Sequence, residues 1–403
     1  MLNELVSEKI KMSDMTFQEE LRPPEEEGIL LDVRGIRTYF FTEEGVVKAL
    51  ENVGYKVYES KTLGIVGESG CGKSVSALSV MGIVPDPPGK IIEGEVWYRG
   101  EDLRKKSDAE MRTIRGNKIA MIFQDPMTSL NPVLTVGDQI MEAIRLHQDV
   151  DLQTARENAI KIMDLVGIPS AADRVDDYPF MFSGGMRQRV MIAMALSCNP
   201  ELLVADEPTT ALDVTIQAQI LNIFKAIRNE FNMSIMLITH DLGVVAELCD
   251  YTTVMYAGYI VEYASTIELF KNPMHPYSIA LLGAIPKPET RKDDDLTIIP
   301  GSIPSLITPP DGCRFHPRCS HTMEICKTEI PRLRQVAPHH TVRCHLFNKY
   351  PVSEVEEYTD KMREVYQHDQ LEIIQQKGFG KKIQQALKRD KTVSYTHLTL
   401  PTN

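Results

Sequence analysis

The octapeptide Gly67-Glu68-Ser69-Gly70-Cys71-Gly72-Lys73-Ser74 constrains the fold more than any other stretch, because it fits G-x-x-x-x-G-K-[ST] between an apolar run and a helical one. The run before it, Thr62-Leu63-Gly64-Ile65-Val66, is short and bounded by glycine, as a strand buried on both faces should be. Glycines let the backbone curl so that successive N–H groups point inward at a helix N-terminus, where phosphate is held. Lys73 would then reach the β- and γ-phosphates and Ser74 would ligate Mg²⁺, with Val75 next in the helix. Comparable runs at Ile119 to Phe123, Leu202 to Ala205 and Ile235 to Ile238 are each followed by polar or glycine residues, which predicts an α/β sheet with helices on its faces. From Thr135 to Tyr178 the period is helical and no strand run intervenes, so a helical subdomain is expected at about 125–182.

Two further stretches bear on phosphate chemistry. Leu202-Leu203-Val204-Ala205-Asp206-Glu207 is an apolar strand ending in two acids. There Asp206 would hold the Mg²⁺ shell and Glu207 would orient or deprotonate water. Two acids after a strand are, in isolation, an ordinary helix start; the phosphate loop changes that weighting. Ser183-Gly184-Gly185-Met186-Arg187-Gln188 opens a helix through Val190, Met191, Ala193 and Met194. The serine caps it, and the paired glycines leave a bare N-terminus that attracts phosphate.

Composition sets the surroundings. Lys plus Arg number 44 against 56 Asp plus Glu, a net charge of -12, which disfavours a nucleic-acid partner. No uncharged apolar run reaches membrane-span length and the N-terminus lacks an apolar signal core, so a cytosolic or peripheral protein with reduced thiols is expected. Residues 1–28 are acidic and poor in apolar side chains, which predicts a disordered or docking extension. The α/β domain is expected over 29–289, a small cysteine-containing module over 290–348 and a helical tail over 349–391. Val393-Ser394-Tyr395-Thr396-His397-Leu398 can be encoded as GTC TCT TAT ACA CAT CT, which resembles a translated sequencing adapter. Residues 392–403 are therefore set apart as a scar, and the natural C-terminus is expected to lie elsewhere.

These motifs, in this order, resemble the ATP-binding subunits of ABC transporters. The resemblance implies a P-loop nucleotide-binding domain with an inserted helical subdomain, and hydrolysis of Mg²⁺-bound ATP. It implies that Ser183, Gly184 and Gly185 contact ATP held by the opposite subunit, joined by Asp213 of Ala211-Leu212-Asp213. Gln124 at a strand end matches the residue contacting Mg²⁺ and water, and His240 after Ile238-Thr239, 33 residues beyond Glu207, matches the histidine near the γ-phosphate. An aromatic residue should stack on adenine, with Phe41 the choice and Tyr39 behind it. Phe182 and Met186 depart from the commonest signature without removing a phosphate-contacting group.

Finer features resemble the dipeptide/oligopeptide importer branch, to which nickel importers are closely related: Phe123-Gln124-Asp125-Pro126-Met127-Thr128, Leu212-Asp213-Val214-Thr215-Ile216-Gln217 and His275-Pro276-Tyr277-Ser278. The branch implies two membrane permeases, a paralogous ATP-binding partner and an extracytoplasmic binding protein, with this chain at the cytoplasmic membrane face. Import of nickel or another small solute, a soluble non-transport ABC ATPase and a non-catalytic subunit are the alternatives.

Cys313, Cys319, Cys326 and Cys344 are separated by five, six and seventeen residues in a proline-rich stretch with a thin core, which suggests a stabilising metal or cluster. The lack of a C-x-x-C pair favours a [4Fe–4S] cluster, with zinc and unligated thiols left open. Some members of the branch carry such a cluster on a similar cysteine set. His316 and His345 are read as bystanders, and Cys71, Cys198 and Cys249 as small packed residues.

Overall fold

The computed structural model describes residues 28–125, 129–210, 213–284 and 299–360. A long hairpin, β1 (Ile29–Thr42) and β2 (Gly45–Tyr58), leads to β3 (Thr62–Val66), the phosphate loop and α1 (Lys73–Met81). Next come β4 (Gly89–Tyr98), β5 (Glu101–Asp102), α2 (Asp108–Ile114) and β6 (Ile119–Ile122). The helices α3 (Val136–His147), α4 (Leu152–Leu165) and α5 (Ala171–Arg174) precede α6 (Gly184–Leu196). The chain then runs through β7 (Leu202–Asp206), α7 (Val214–Phe231), β8 (Ser234–Ile238), α8 (Leu242–Leu248), β9 (Tyr251–Tyr256) and β10 (Tyr259–Ser265). It continues with α9 (Thr266–Lys271), α10 (Pro276–Gly283), α11 (Glu324–Thr328), β11 (Leu333–Ala337) and β12 (His340–Arg343).

The main sheet has the order β11-β12-β10-β9-β3-β8-β7-β6. Its five strands from β9 to β6 are parallel. Alternation along them builds two cores, since successive side chains face opposite ways. Leu63, Ile65, Ile119, Leu202, Val204, Met236 and Ile238 face one way, packing with Ala77, Val80 and Met81 of α1 and with β1, β2 and β4. Ala120, Ile122, Leu203, Ala205, Ile235 and Leu237 face the other, against Val190 and Ile192 of α6 and Ile220 and Phe224 of α7. Both faces are covered, which is why the strands read as continuous apolar runs. The architecture is α/β, as expected. A second, antiparallel sheet β2-β1-β4-β5 covers part of one face where helices alone were expected.

The helical stretch forms because its starts are capped. Thr135 accepts from the Asp138 N–H at 3.1 Å and Asp151 from the Thr154 N–H at 2.8 Å. The cysteine-bearing segment, pictured from sequence as a separate module, adds strands to the main sheet, with Val342 and Thr341 of β12 opposite Glu262 and Tyr263 of β10. Residues 354–360 are helical. The expected extension up to residue 27, Pro126 to Thr128, Ala211, Leu212, residues 285–298, the tail beyond 360 and the adapter-like stretch lie outside the described residues.

Candidate active site

The phosphate loop joins the end of β3 to α1, and its shape is enforced locally. Gly72 has φ +107, and a Cβ there would lie 2.6 Å from the Ala49 carbonyl oxygen; one on Gly67 would lie 2.2 Å from that of Met255. α1 starts without a side-chain cap. Its first N–H groups are therefore left for a ligand, and the helix dipole favours an anion there. Lys73 is 5% exposed, and its ammonium donates to the carbonyls of Gly67 at 2.9 Å and Glu68 at 3.2 Å. Ser69 and Gly70 form the exposed rim of the loop. The Cys71 thiol is buried, which pushes it up to about 11, so it is an inert wall.

The strand ends of β6, β7 and β8 bring the acids to this loop. The Ser74 hydroxyl donates to Asp206 Oδ1 at 3.0 Å, across 132 residues. Burial, opposed by the Ser74 hydrogen bond and reinforced by the Glu207 carboxylate, raises Asp206 above the usual carboxylate range. Two adjacent acids in so shielded a place favour a cation, and their oxygens suit Mg²⁺. Glu207 has φ 47, the left-handed region, a strained backbone of the kind found at functional sites. Its carboxylate accepts from Gln124 Nε2 at 3.0 Å and from the Thr210 hydroxyl at 2.9 Å, and His240 Nδ1 lies 3.4 Å from its other oxygen. Gln124, Glu207 and His240, far apart in sequence, thus converge. Thr210 has no local sequence signature and was not foreseen.

The predicted opposite-subunit contacts lie elsewhere on the chain. Ser183 caps α6 by accepting from the Met186 N–H at 3.3 Å, and Asp213 caps α7 by accepting from the Ile216 N–H at 3.0 Å. Gly185 packs against Ile216, whereas a Cβ on Gly184 would meet nothing within 4 Å. The packing of this chain therefore does not require a glycine at 184. Of the two aromatic candidates, Tyr39 has its hydroxyl committed to Glu51 at 2.6 Å, while Phe41 is 52% exposed at the hairpin end.

The four cysteines do not form the expected ligand set. All are free thiols, and among the described residues no group of three or more His, Cys, Asp or Glu is placed to hold a metal ion. Burial pushes the Cys313 thiol up to about 11 and the Cys344 thiol up to about 12. The thin core inferred for this segment is instead made by Phe315, which packs on Tyr256 and Tyr277 with centroids 5.1 and 5.4 Å away.

Residues 50–210 match the family model described as ABC transporter, and 261–326 that described as oligopeptide/dipeptide transporter, C-terminal region. The probable peptide ABC transporter ATP-binding protein y4tR of Sinorhizobium fredii is 50% identical over 80% of this chain and 96% of its own. The chain belongs to the ABC transporter ATP-binding family. Another relative in the family, the dipeptide transport ATP-binding protein DppD of Bacillus subtilis, is 48% identical over 79% of this chain and 94% of its own. Among solved ABC structures, the ATP-binding cassette MJ0796, a dimer in a post-hydrolysis state with ADP and Pi, superposes with a TM-score of 0.53. It is 25% identical and covers 59% of this chain and 98% of its own. The chain is an ABC-type ATPase, and ATP with Mg²⁺ is its substrate.

Proposed function

We propose that this ABC ATPase powers a peptide importer, with ATP bound between it and a second, paralogous ATP-binding subunit. The reading rests chiefly on the convergence of Ser74, Asp206, Glu207, Gln124 and His240 at the start of α1. The relatives named for peptide transport, matched over most of their length, supply the substrate class.

The bare start of α1 and Lys73 hold the phosphates, and Phe41 stacks on the adenine. Ser74, Gln124 and Asp206 would hold the Mg²⁺ that arrives with ATP, and the ion offsets phosphate charge. Glu207 takes a proton from the attacking water, Gln124 orients that water, and His240 approaches the γ-phosphate. Gly184 leaves the N-terminus of α6 open for ATP held by the partner, beside Ser183, Gly185 and Asp213. ATP then adds contacts from both subunits and favours the closed pair; hydrolysis removes them and reopens it. Among the described residues no helix is long and apolar enough to cross a membrane; in this reading the translocation path belongs to two separate permeases. The ATPase docks beneath them at the cytoplasmic face, and a binding protein delivers the peptide from outside. No step is routed through a cluster or zinc: among the described residues no group of three or more His, Cys, Asp or Glu is placed to hold a metal ion.

The test is ATP hydrolysis by the complex reconstituted with its permeases, partner ATPase and binding protein, titrated with dipeptides, longer peptides and Ni²⁺. Stimulation by peptides is expected. A response to Ni²⁺ alone, or to nothing, would remove the peptide assignment and leave the ATPase standing.

A further inference from the structure

The loop between the first two cysteines lies directly behind the phosphate loop. Arg318, whose side chain is 5% exposed, donates from Nη1 to Glu68 Oε2 at 2.7 Å and from Nη2 to Glu68 Oε1 at 3.0 Å, a two-pronged pairing. Its own position is fixed, because Nε donates to the Pro300 carbonyl at 2.8 Å and Nη1 lies 3.3 Å from the Tyr256 hydroxyl. Glu68 follows the first glycine of the phosphate loop. Its N–H donates to the Tyr277 hydroxyl at 3.0 Å, and its carbonyl accepts from Lys73 at 3.2 Å. The loop is thus gripped from behind at one residue, through amide and carboxylate, while Lys73 of the loop itself holds the carbonyl. At the other end of the cysteine-bracketed loop, Arg314 donates to the Ala257 carbonyl, and the next residue, Gly258, donates its N–H to the Cys71 carbonyl at 2.9 Å.

We propose that Arg318 is a positioning residue for nucleotide binding, acting through Glu68. Glu68 puts a carboxylate into a loop built for polyphosphate, where an unpaired negative charge repels the ligand. Arg318 neutralises that carboxylate and holds it back from the cradle while Tyr277 fixes the backbone beside it. The C-terminal segment thereby sets the affinity of the phosphate loop without touching ATP. This rests on the reading of Gly67 to Ser74 as the ATP cradle.

The experiment compares full-length wild type, Arg318→Met, Arg318→Lys, Glu68→Gln and the Arg318→Met/Glu68→Gln double variant. It measures ATP affinity on the purified chain, KM and kcat in the reconstituted complex, and the melting temperature of each chain. Arg318→Met should raise the ATP KM by about tenfold with kcat within about twofold. Glu68→Gln added to it should restore most of the affinity, because the repelling charge is gone. Arg318→Lys keeps the charge but loses the fork and should fall between. A merely structural pair would lower the melting temperature of Arg318→Met and of the double variant alike and leave KM unmoved, which would overturn the proposal. Should Arg318→Met not fold, an unchanged KM in Arg318→Lys would overturn it equally. Wild type that binds no ATP would instead bring down the reading of the cradle itself.

Discussion

Two glycines illustrate how differently single residues serve this site. At Gly72 the backbone is left-handed and the Ala49 carbonyl stands 2.6 Å from where a Cβ would go, so the constraint is internal. Gly72→Ala should cost about 1–3 kcal/mol of stability and abolish tight ATP binding, readable by thermal melting and nucleotide titration. Gly184 faces open space, so Gly184→Ala should leave the melting temperature unchanged. In the proposed pair its added methyl would meet the partner-held ATP, and turnover of the two-subunit complex should fall by about tenfold. Gly72 was legible in the sequence because it acts through its own backbone within a short motif. Arg318 was not: its partner Glu68 lies 250 residues away, and between two cysteines it reads as part of a metal loop. Thr210 was equally silent, a lone hydroxyl whose role exists only once Glu207 is in place.

Among the elements, α1 and α6 contrast at their first turns. α1 has no cap and leaves its N–H groups free, whereas α6 has one satisfied by Ser183. Ser183→Ala should therefore cost about 1 kcal/mol, seen in urea unfolding. It should reduce ATP turnover in the paired complex by more than that loss of stability explains, since in the proposed pair the hydroxyl would also face the partner's ATP. The parallel strands were readable because burial on both faces makes them apolar throughout. The antiparallel sheet was not, because register shifts along β1, among them one between Val33 and Ile36, break the alternation that would announce a half-buried strand.

For the whole molecule, the junction of β10, β12 and α10 ties the C-terminal segment to the ATPase core. Glu262, fully buried, accepts from the N–H groups of Met274 and His275 at 2.8 and 2.9 Å and pairs with His340 at 2.9 Å. Burial lowers His275 to about 4, while the unfolded chain titrates it near its ordinary value of about 6.5. Between those values the unfolded state binds a proton that the folded state refuses, so stability falls as the pH drops from about 6.5 to 4, by about 3 kcal/mol in full. Urea unfolding at pH 7 and pH 5 should show the loss. His275→Asn, which keeps an acceptor for the Tyr277 N–H at the start of α10, should flatten it. That the segment joins the sheet was hidden from the sequence because strand pairing with β10 is long-range and β12 is only four residues long.

We propose Glu207 as the group that activates water for ATP hydrolysis beside the start of α1. The direct measurement is ATP turnover by the reconstituted complex carrying Glu207→Gln, with nucleotide affinity measured on the same sample. Turnover should fall by about 10²–10⁴-fold while ATP still binds, since the amide preserves shape but cannot take a proton. Unchanged turnover in Glu207→Gln would contradict the assignment.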